Sequence, residues 1–174
     1  MNKTVLIVLI VVGAICVICG GGAAISWFAF RGAIEGPMQC GMTLGSAQNA
    51  FEKYAGENGK MPDAENWQLA LAPFMKAEGV ELMGMKVPAA DEVWLCNPSD
   101  PQTGIAFNSD LSGVDWEDVP RDTVILFETP ETGMNLSAPY KALPTDQSPK
   151  ISGNPRGWFV MTKSGVDSAA NATR

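Results

Sequence analysis

The sequence predicts an α+β protein: an N-terminal transmembrane helix, then a domain in which a long helix packs on a small antiparallel sheet. Three observations predict it. The 27 residues from Thr4 to Phe30 carry no charge. Shortly after them, apolar residues recur at helical spacing from Cys40 to Tyr54. Short apolar runs follow, bounded by Pro, Gly, Asn or Asp, as short strands usually are. Helices first and strands afterwards favour α+β. The expected organisation is residues 1–30 as anchor and 31–174 as an extracytoplasmic domain.

The first segment is long enough to span a bilayer. At ~1.5 Å per residue it reaches roughly 40 Å, against about 30 Å of hydrocarbon. Val5, Leu9 and Ile15 present apolar side chains to lipid, Trp27 falls at headgroup level, and Arg31 closes the run. Lys3 and the positive-inside tendency put the N-terminus inside. That places the chain in the inner or cytoplasmic membrane, single-pass, with its domain facing the periplasm or the cell exterior. Cleavage of a signal peptide is the alternative: Gly20–Ala24 offers a small-residue site, and release between Gly20 and Ser26 would yield a secreted soluble domain. A lipoprotein is disfavoured, because Ile15 and Ile18 precede Cys16 and Cys19 where a small residue is required. Cys16-Val17-Ile18-Cys19 has redox spacing, but no cation there lowers a thiol pKa, so the two read as small apolar fillers.

The outer domain begins after the break at Gly36-Pro37. Cys40, Leu44, Ala47, Phe51 and Tyr54 share one helical face, with Gln48, Asn49, Glu52 and Lys53 opposite. Gly56 and Gly59 are expected to end this helix. A shorter helix carries Trp67, Leu71 and Phe74, with Asp63 as N-cap and Pro73 limiting its length. Strands are expected at Val93–Leu95, Ile105–Phe107, Thr123–Phe127 and Trp158–Met161. The proline-rich stretch from Pro130 to Pro155 reads as a long ordered loop.

Composition narrows the function. The chain has 174 residues, 12 Lys+Arg against 19 Asp+Glu, no His and 4 Cys, for a net charge of −7. Because only Lys3 among the cations precedes the span, the outer region stands at −8. Without His there is no Ser-His-Asp or Cys-His pair and no imidazole ligand. An acidic chain lacks the basic footprint of nucleic-acid binding. The carboxylates are scattered and nothing pairs a nucleophile with a base, so no catalytic residue is assigned and no enzyme is expected.

The order of motifs resembles the bacterial type IV pilin-like, pseudopilin-type proteins. Behind the apolar run come Cys40, Leu44-Gly45-Ser46-Ala47-Gln48-Asn49-Ala50-Phe51-Glu52-Lys53-Tyr54-Ala55, Asn58-Gly59-Lys60-Met61-Pro62, Asn66-Trp67 and Leu71-Ala72-Pro73-Phe74. Leu95-Cys96-Asn97-Pro98-Ser99-Asp100-Pro101, Ala106-Phe107-Asn108-Ser109, Gly113, Val119-Pro120 and Thr123–Glu128 complete the series. Within that group the chain is most similar to the prepilin-type processing-associated proteins, named for a His, nine residues, then Asp-Gly. Two departures stand out. Thr4–Val12 has neither the Gly-Phe junction of a prepilin peptidase site nor its Glu, and Ser164 and Asn154 occupy the signature's Asp and His positions. The resemblance therefore implies a fixed, membrane-anchored relative rather than a polymerising pilin.

What the resemblance implies about chemistry is limited. Cys40 and Cys96 match positions where the group often has Cys, which implies a disulfide in a non-reducing compartment; two buried free thiols are the alternative. Asp110, Asp115, Glu117 and Asp118 form an acidic loop, and the major pseudopilins of type II secretion carry calcium in their strand region. Such loops are ordinarily just solvated, so no cofactor is expected and calcium is the alternative. Trp67, Trp94, Trp116 and Trp158 read as core, with an exposed aromatic platform as the alternative. Asn135-Leu136-Ser137 and Asn171-Ala172-Thr173 fit a glycosylation pattern that means little in a bacterial chain. The expected function is structural or accessory, with the membrane and the proteins of a pilus-like or secretion-like assembly as partners. A ligand- or calcium-binding module is the alternative.

Overall fold

The computed structural model describes residues 36–75, 80–82, 85–98, 100–151 and 153–168. The described residues belong to one compact unit, Glu35–Arg174. The apolar run from Thr4 to Phe30, and with it Val5, Leu9, Ile15 and Trp27, lies outside them. Among the described residues no helix is long and apolar enough to cross a membrane.

Helix α1 covers residues 36–58. Its apolar stripe is the one the spacing predicts: Cys40, Leu44, Ala47 and Phe51 are buried, and Asn49, Glu52 and Lys53 are exposed. Gln48 departs from that pattern by donating through Nε2 to the Lys163 carbonyl (3.4 Å). The helix runs through Gly56 and stops at Gly59. Only Gly59 takes a positive φ, +73°, and its N–H closes on the Ala55 carbonyl at 2.7 Å. The chain then pairs with the 114–116 segment: Met61 N–H donates to Val114 and Trp116 N–H to Gly59.

The second helix is shorter than its periodicity suggests. α2, Trp67–Ala70, is a single turn continued by the 3₁₀ turn Ala72–Phe74, with Pro73 inside it. Asn66, not Asp63, holds the N-cap position, while the Asp63 carbonyl accepts from Asn66 N–H. A hairpin that the apolar runs do not reveal follows, β1 (Val80–Leu82) with β2 (Met85–Val87).

The main sheet is antiparallel and curled, in the order β10-β9-β5-β4-β3. Its strands are β3 (Leu95–Asn97), β4 (Thr103–Asn108), β5 (Leu126–Thr129), β9 (Phe159–Thr162) and β10 (Gly165–Ser168). Four match predicted apolar runs with ends shifted by one to three residues; β10 was not expected. The excursion Pro130–Pro155 contributes β6 (Ser137–Ala138), paired in parallel with the last two residues of β4. It also contributes a small hairpin, β7 (Lys150–Ile151) with β8 (Asn154–Pro155).

Alternation along the strands gives the sheet two apolar faces. Ile105, Phe107, Leu126 and Met161 join the α1 stripe in the main core. Ala106, Phe127 and Val160 point the other way and are covered by Leu136 and Tyr140 of the excursion. At the centre of the main core four rings meet. Trp67 lies 5.0 Å edge-on from Trp94 and 5.9 and 6.1 Å from Phe107 and Phe51. Each indole N–H is satisfied, Trp67 by the Leu136 carbonyl and Trp94 by that of Ala89, both at 2.9 Å.

Trp67 is therefore the residue on which four segments close. Trp67→Ala is expected to cost about 3–5 kcal/mol, read as a lowered midpoint in urea denaturation with the disulfide intact. Tyr140 supplies a contrasting case. Its ring packs against Phe127 at 5.3 Å, while its hydroxyl is buried without a hydrogen-bond partner among the described residues. Burial raises the phenol above its ordinary pKa of 10.0. The folded state thus holds its proton longer than the unfolded chain does, and stability falls as pH rises above 10. Tyr140→Phe should leave neutral-pH stability unchanged or raise it by about 1 kcal/mol. It should also flatten that alkaline fall, as read from unfolding midpoints across the pH range.

Candidate functional site

Two places concentrate chemistry. The first is interior and begins with the cysteines. Cys40 is in the second turn of α1 and Cys96 in the middle of β3; both are fully buried and joined in a disulfide. The bond fastens the helix to the edge of the sheet. It settles the alternative of two free thiols in favour of the bridge.

Beside it stands Glu128. In β5 its register partner is Ile105, so the side chain enters the main core rather than solvent. A buried carboxylate is costly unless every lone pair is used, and here four donors converge. Oε1 accepts from Thr103 Oγ1 at 2.5 Å and Arg156 Nη2 at 2.6 Å; Oε2 accepts from Arg156 Nη1 at 2.8 Å and Phe159 N–H at 3.1 Å. The two side chains are 4% and 0% exposed, so water does not screen the pair. Arg156 comes from the end of the β7–β8 hairpin, stacks over Phe159 at 4.8 Å and also donates to the Gly157 carbonyl. The fork-on-fork geometry pins the excursion to the sheet.

Cys40, Cys96 and Glu128 also form the one group of three metal-ligand types within reach of a single ion among the described residues. The donor set does not suit a metal as it stands. The sulfurs are bonded to each other and offer no thiolate, and both carboxylate oxygens are engaged. With no opening and no unused lone pair, the cluster acts as architecture.

The second place is an open cleft of about 710 Å³ between the 3₁₀ turn Trp116–Asp118 and the β9–β10 turn. Trp116, Glu117, Val119, Pro120 and Arg121 line it from one segment, Lys163 and Ser164 from the other. Lys163 sits 4.2 Å from the centre of the Trp116 ring and donates to the Trp116 carbonyl. The ammonium thus lies over a face of the indole as a cation–π pair, in a cleft that carries both charges, Lys163 and Arg121 with Glu117.

Of the predicted acidic residues, Glu117 lines this cleft. Asp110 lies in the 3₁₀ turn Ser109–Leu111, the Asp115 backbone forms an isolated antiparallel β-bridge with that of Lys60, and Glu117 and Asp118 occupy the Trp116–Asp118 turn. All four are exposed. Of the described tryptophans, Trp67, Trp94 and Trp158 are buried and Trp116 is partly open. Asn154 stands in β8 and Ser164 in the β9–β10 turn, both exposed. Asn135 is occupied: its side chain accepts from Gln68 N–H at 3.0 Å, and Asn171 lies outside the described residues. Sequence reading missed Glu128 and Arg156. Their only signal was a charge at the end of an apolar run and another behind Pro155.

No protein-family model, no curated protein and no solved structure matches the chain.

Removing one partner of the interior pair strands the other. Glu128→Ala and Arg156→Ala are each expected to cost about 3–5 kcal/mol in chemical denaturation, and the double variant far less than their sum. Additive losses would mean that the two residues act independently.

Proposed function

We propose that this chain is a membrane-anchored, extracytoplasmic structural or accessory protein of a pilus-like or secretion-like apparatus, without catalytic activity. The observation that carries the reading is the fully buried Cys40–Cys96 bond, which joins helix to sheet behind an uncharged run long enough to span a bilayer. Disulfides persist in oxidising compartments, and a chain threaded outward from Lys3 delivers its domain to one. The motif order that resembles pseudopilin-type proteins supports the same assignment, as does a long helix laid on an antiparallel sheet. The interior carries no open nucleophile or base among the described residues: its one buried ion pair is saturated. That favours a protein that works by contact.

A second reading, a ligand-binding module, is favoured by the Trp116–Lys163 cleft, which Glu117 also lines. Calcium titration by calorimetry, with and without Asp115→Asn and Asp118→Asn, tests its metal form. Heat that those substitutions abolish would support it.

The main reading is tested on the full chain in cells. It is expected to stay with membranes through alkaline carbonate extraction. Non-reducing peptide mapping should recover the Cys40 and Cys96 peptides joined. Replacing both cysteines by Ser should lower stability by up to about 4 kcal/mol, the chain-entropy figure for a loop of this size. Recovery of an uncleaved chain in the soluble cytosolic fraction, with both cysteines open to alkylation, would overturn the proposal.

A further inference from the structure

The Cys40–Cys96 bond has no surface of its own, since both cysteines are 0% exposed. What lies against it is a charge. A carboxylate oxygen of Glu128 is within 4.8 Å of both sulfurs. Arg156 caps that carboxylate, donating to one oxygen at 2.6 Å and to the other at 2.8 Å. The two remaining donors, Thr103 Oγ1 and Phe159 N–H, belong to strands of the main sheet. Arg156 does not. It follows the β7–β8 hairpin, which is a sheet of its own with no ladder to the main one. The bonds there close on themselves: Arg156 N–H donates to the Pro149 carbonyl and Gly157 N–H to Ser148 Oγ. Lys150, Asn154 and Pro155 are exposed. A segment with exposed backbone and few buried apolar residues opens at lower free energy than the sheet beside it.

Parting that ion pair bears directly on the sulfurs. A buried carboxylate stripped of its counter-charge draws in water, and water that reaches Glu128 arrives beside the disulfide. We infer that the Glu128–Arg156 pair is the gate to the Cys40–Cys96 bond: a thiol reductant meets the sulfurs when the segment carrying Arg156 lifts from the sheet, an opening smaller than unfolding of the domain. In the open state one thiolate of a dithiol attacks a sulfur of the pair and displaces the other as a thiolate, which takes up a proton. The dithiol's second thiol then displaces the remaining cysteine and closes the reductant's own disulfide. Two electrons and two protons pass to Cys40 and Cys96. The two fasteners thus release in a fixed order, ionic before covalent. This inference goes beyond the accessory role and does not depend on it.

The test follows reduction of the full chain in neutral detergent by excess dithiothreitol, in buffer and at urea concentrations below the unfolding transition. Samples are trapped by alkylation, and the Cys40 and Cys96 peptides are read by mass spectrometry, which keeps Cys16 and Cys19 out of the count. Tryptophan fluorescence gives the urea slope of global unfolding, which scales with the surface exposed. The reduction rate is expected to rise with urea at less than half that slope. Arg156→Lys keeps the charge but loses the fork, and should speed reduction in buffer at least tenfold with the slope still shallow. Arg156→Ala should speed it further; where that variant does not fold, Arg156→Lys carries the test. Met61→Ala removes a side chain buried in the main core and away from the gate's hydrogen bonds. It should lower global stability yet leave reduction in buffer within twofold of the parent, which separates a gate from general destabilisation. Reduction at the global slope would overturn the inference. So would a rate that Arg156→Lys leaves unchanged, or one that Met61→Ala raises as much as Arg156→Lys does. None of these failures touches the membrane anchor or the presence of the disulfide, so each is distinct from failure of the functional reading.

Discussion

A sheet with two apolar faces needs two covers, and the described domain has one long helix. α1 takes the face bearing Ile105, Phe107, Leu126 and Met161. The opposite face, with Ala106, Phe127 and Val160, is left to irregular chain through Leu136 and Tyr140. Irregular backbone beside a core has no ladder to satisfy its N–H and C=O groups, so side chains must do it. This requirement accounts for the unusual amount of polar chemistry inside. Asn108 donates to the Val124 carbonyl and accepts from the Asp110 and Tyr140 N–H groups. Gln68 holds Asn135, Trp67 holds Leu136, Trp158 donates to the Pro144 carbonyl, and Ser148 accepts from Gly157 N–H. Each is a buried or partly buried polar group that ties a stretch of loop to a regular element.

The Glu128–Arg156 pair is the strongest of these ties and makes sense in the same terms. A buried ion pair adds little net stability over an apolar replacement, and its worth lies in specifying one geometry. Here it fastens the residue that follows the β7–β8 hairpin to β5, with Thr103 Oγ1 and Phe159 N–H filling the remaining lone pairs. The disulfide does for α1 and β3 what this pair does for the excursion. The two sit side by side, their sulfur and carboxylate atoms no more than 4.8 Å apart. Covalent and ionic fasteners thus meet at one point, where helix, sheet and loop all converge.

The helix and the strand cores were legible because burial there follows a period. Cys40 to Phe51 repeats at 3.6 residues, and the runs around Ile105, Leu126 and Val160 are apolar enough to mark a strand without help. Strand ends were displaced for a shared reason. Asn97, Thr103, Asn108, Glu128 and Thr162 look like turn formers or surface residues, yet each is buried inside a strand. Polarity was read as a boundary where it was a fastener. The same blindness hid Glu128 and Arg156, 28 residues apart, since no local pattern encodes a pairing made by topology. Gly56 misled in the opposite sense: a Cβ there would meet nothing within 4 Å, so the site is open surface and the helix passes through it.

The acidic residues legible in the sequence are spread over exposed turns, Asp110, Asp115, Glu117 and Asp118 among them. Trp116 becomes one wall of a cleft through contacts that no local pattern encodes: Gln48 donates to the Lys163 carbonyl, and Lys163 lies over the Trp116 ring. Gln68 works in the same way inside, where one buried side chain ties the Trp67 turn to Asn135 and to the Glu92 carbonyl. The polar fasteners that hold irregular chain to the sheet therefore also position the turns they join, and a change at Gln68 would loosen three segments at once.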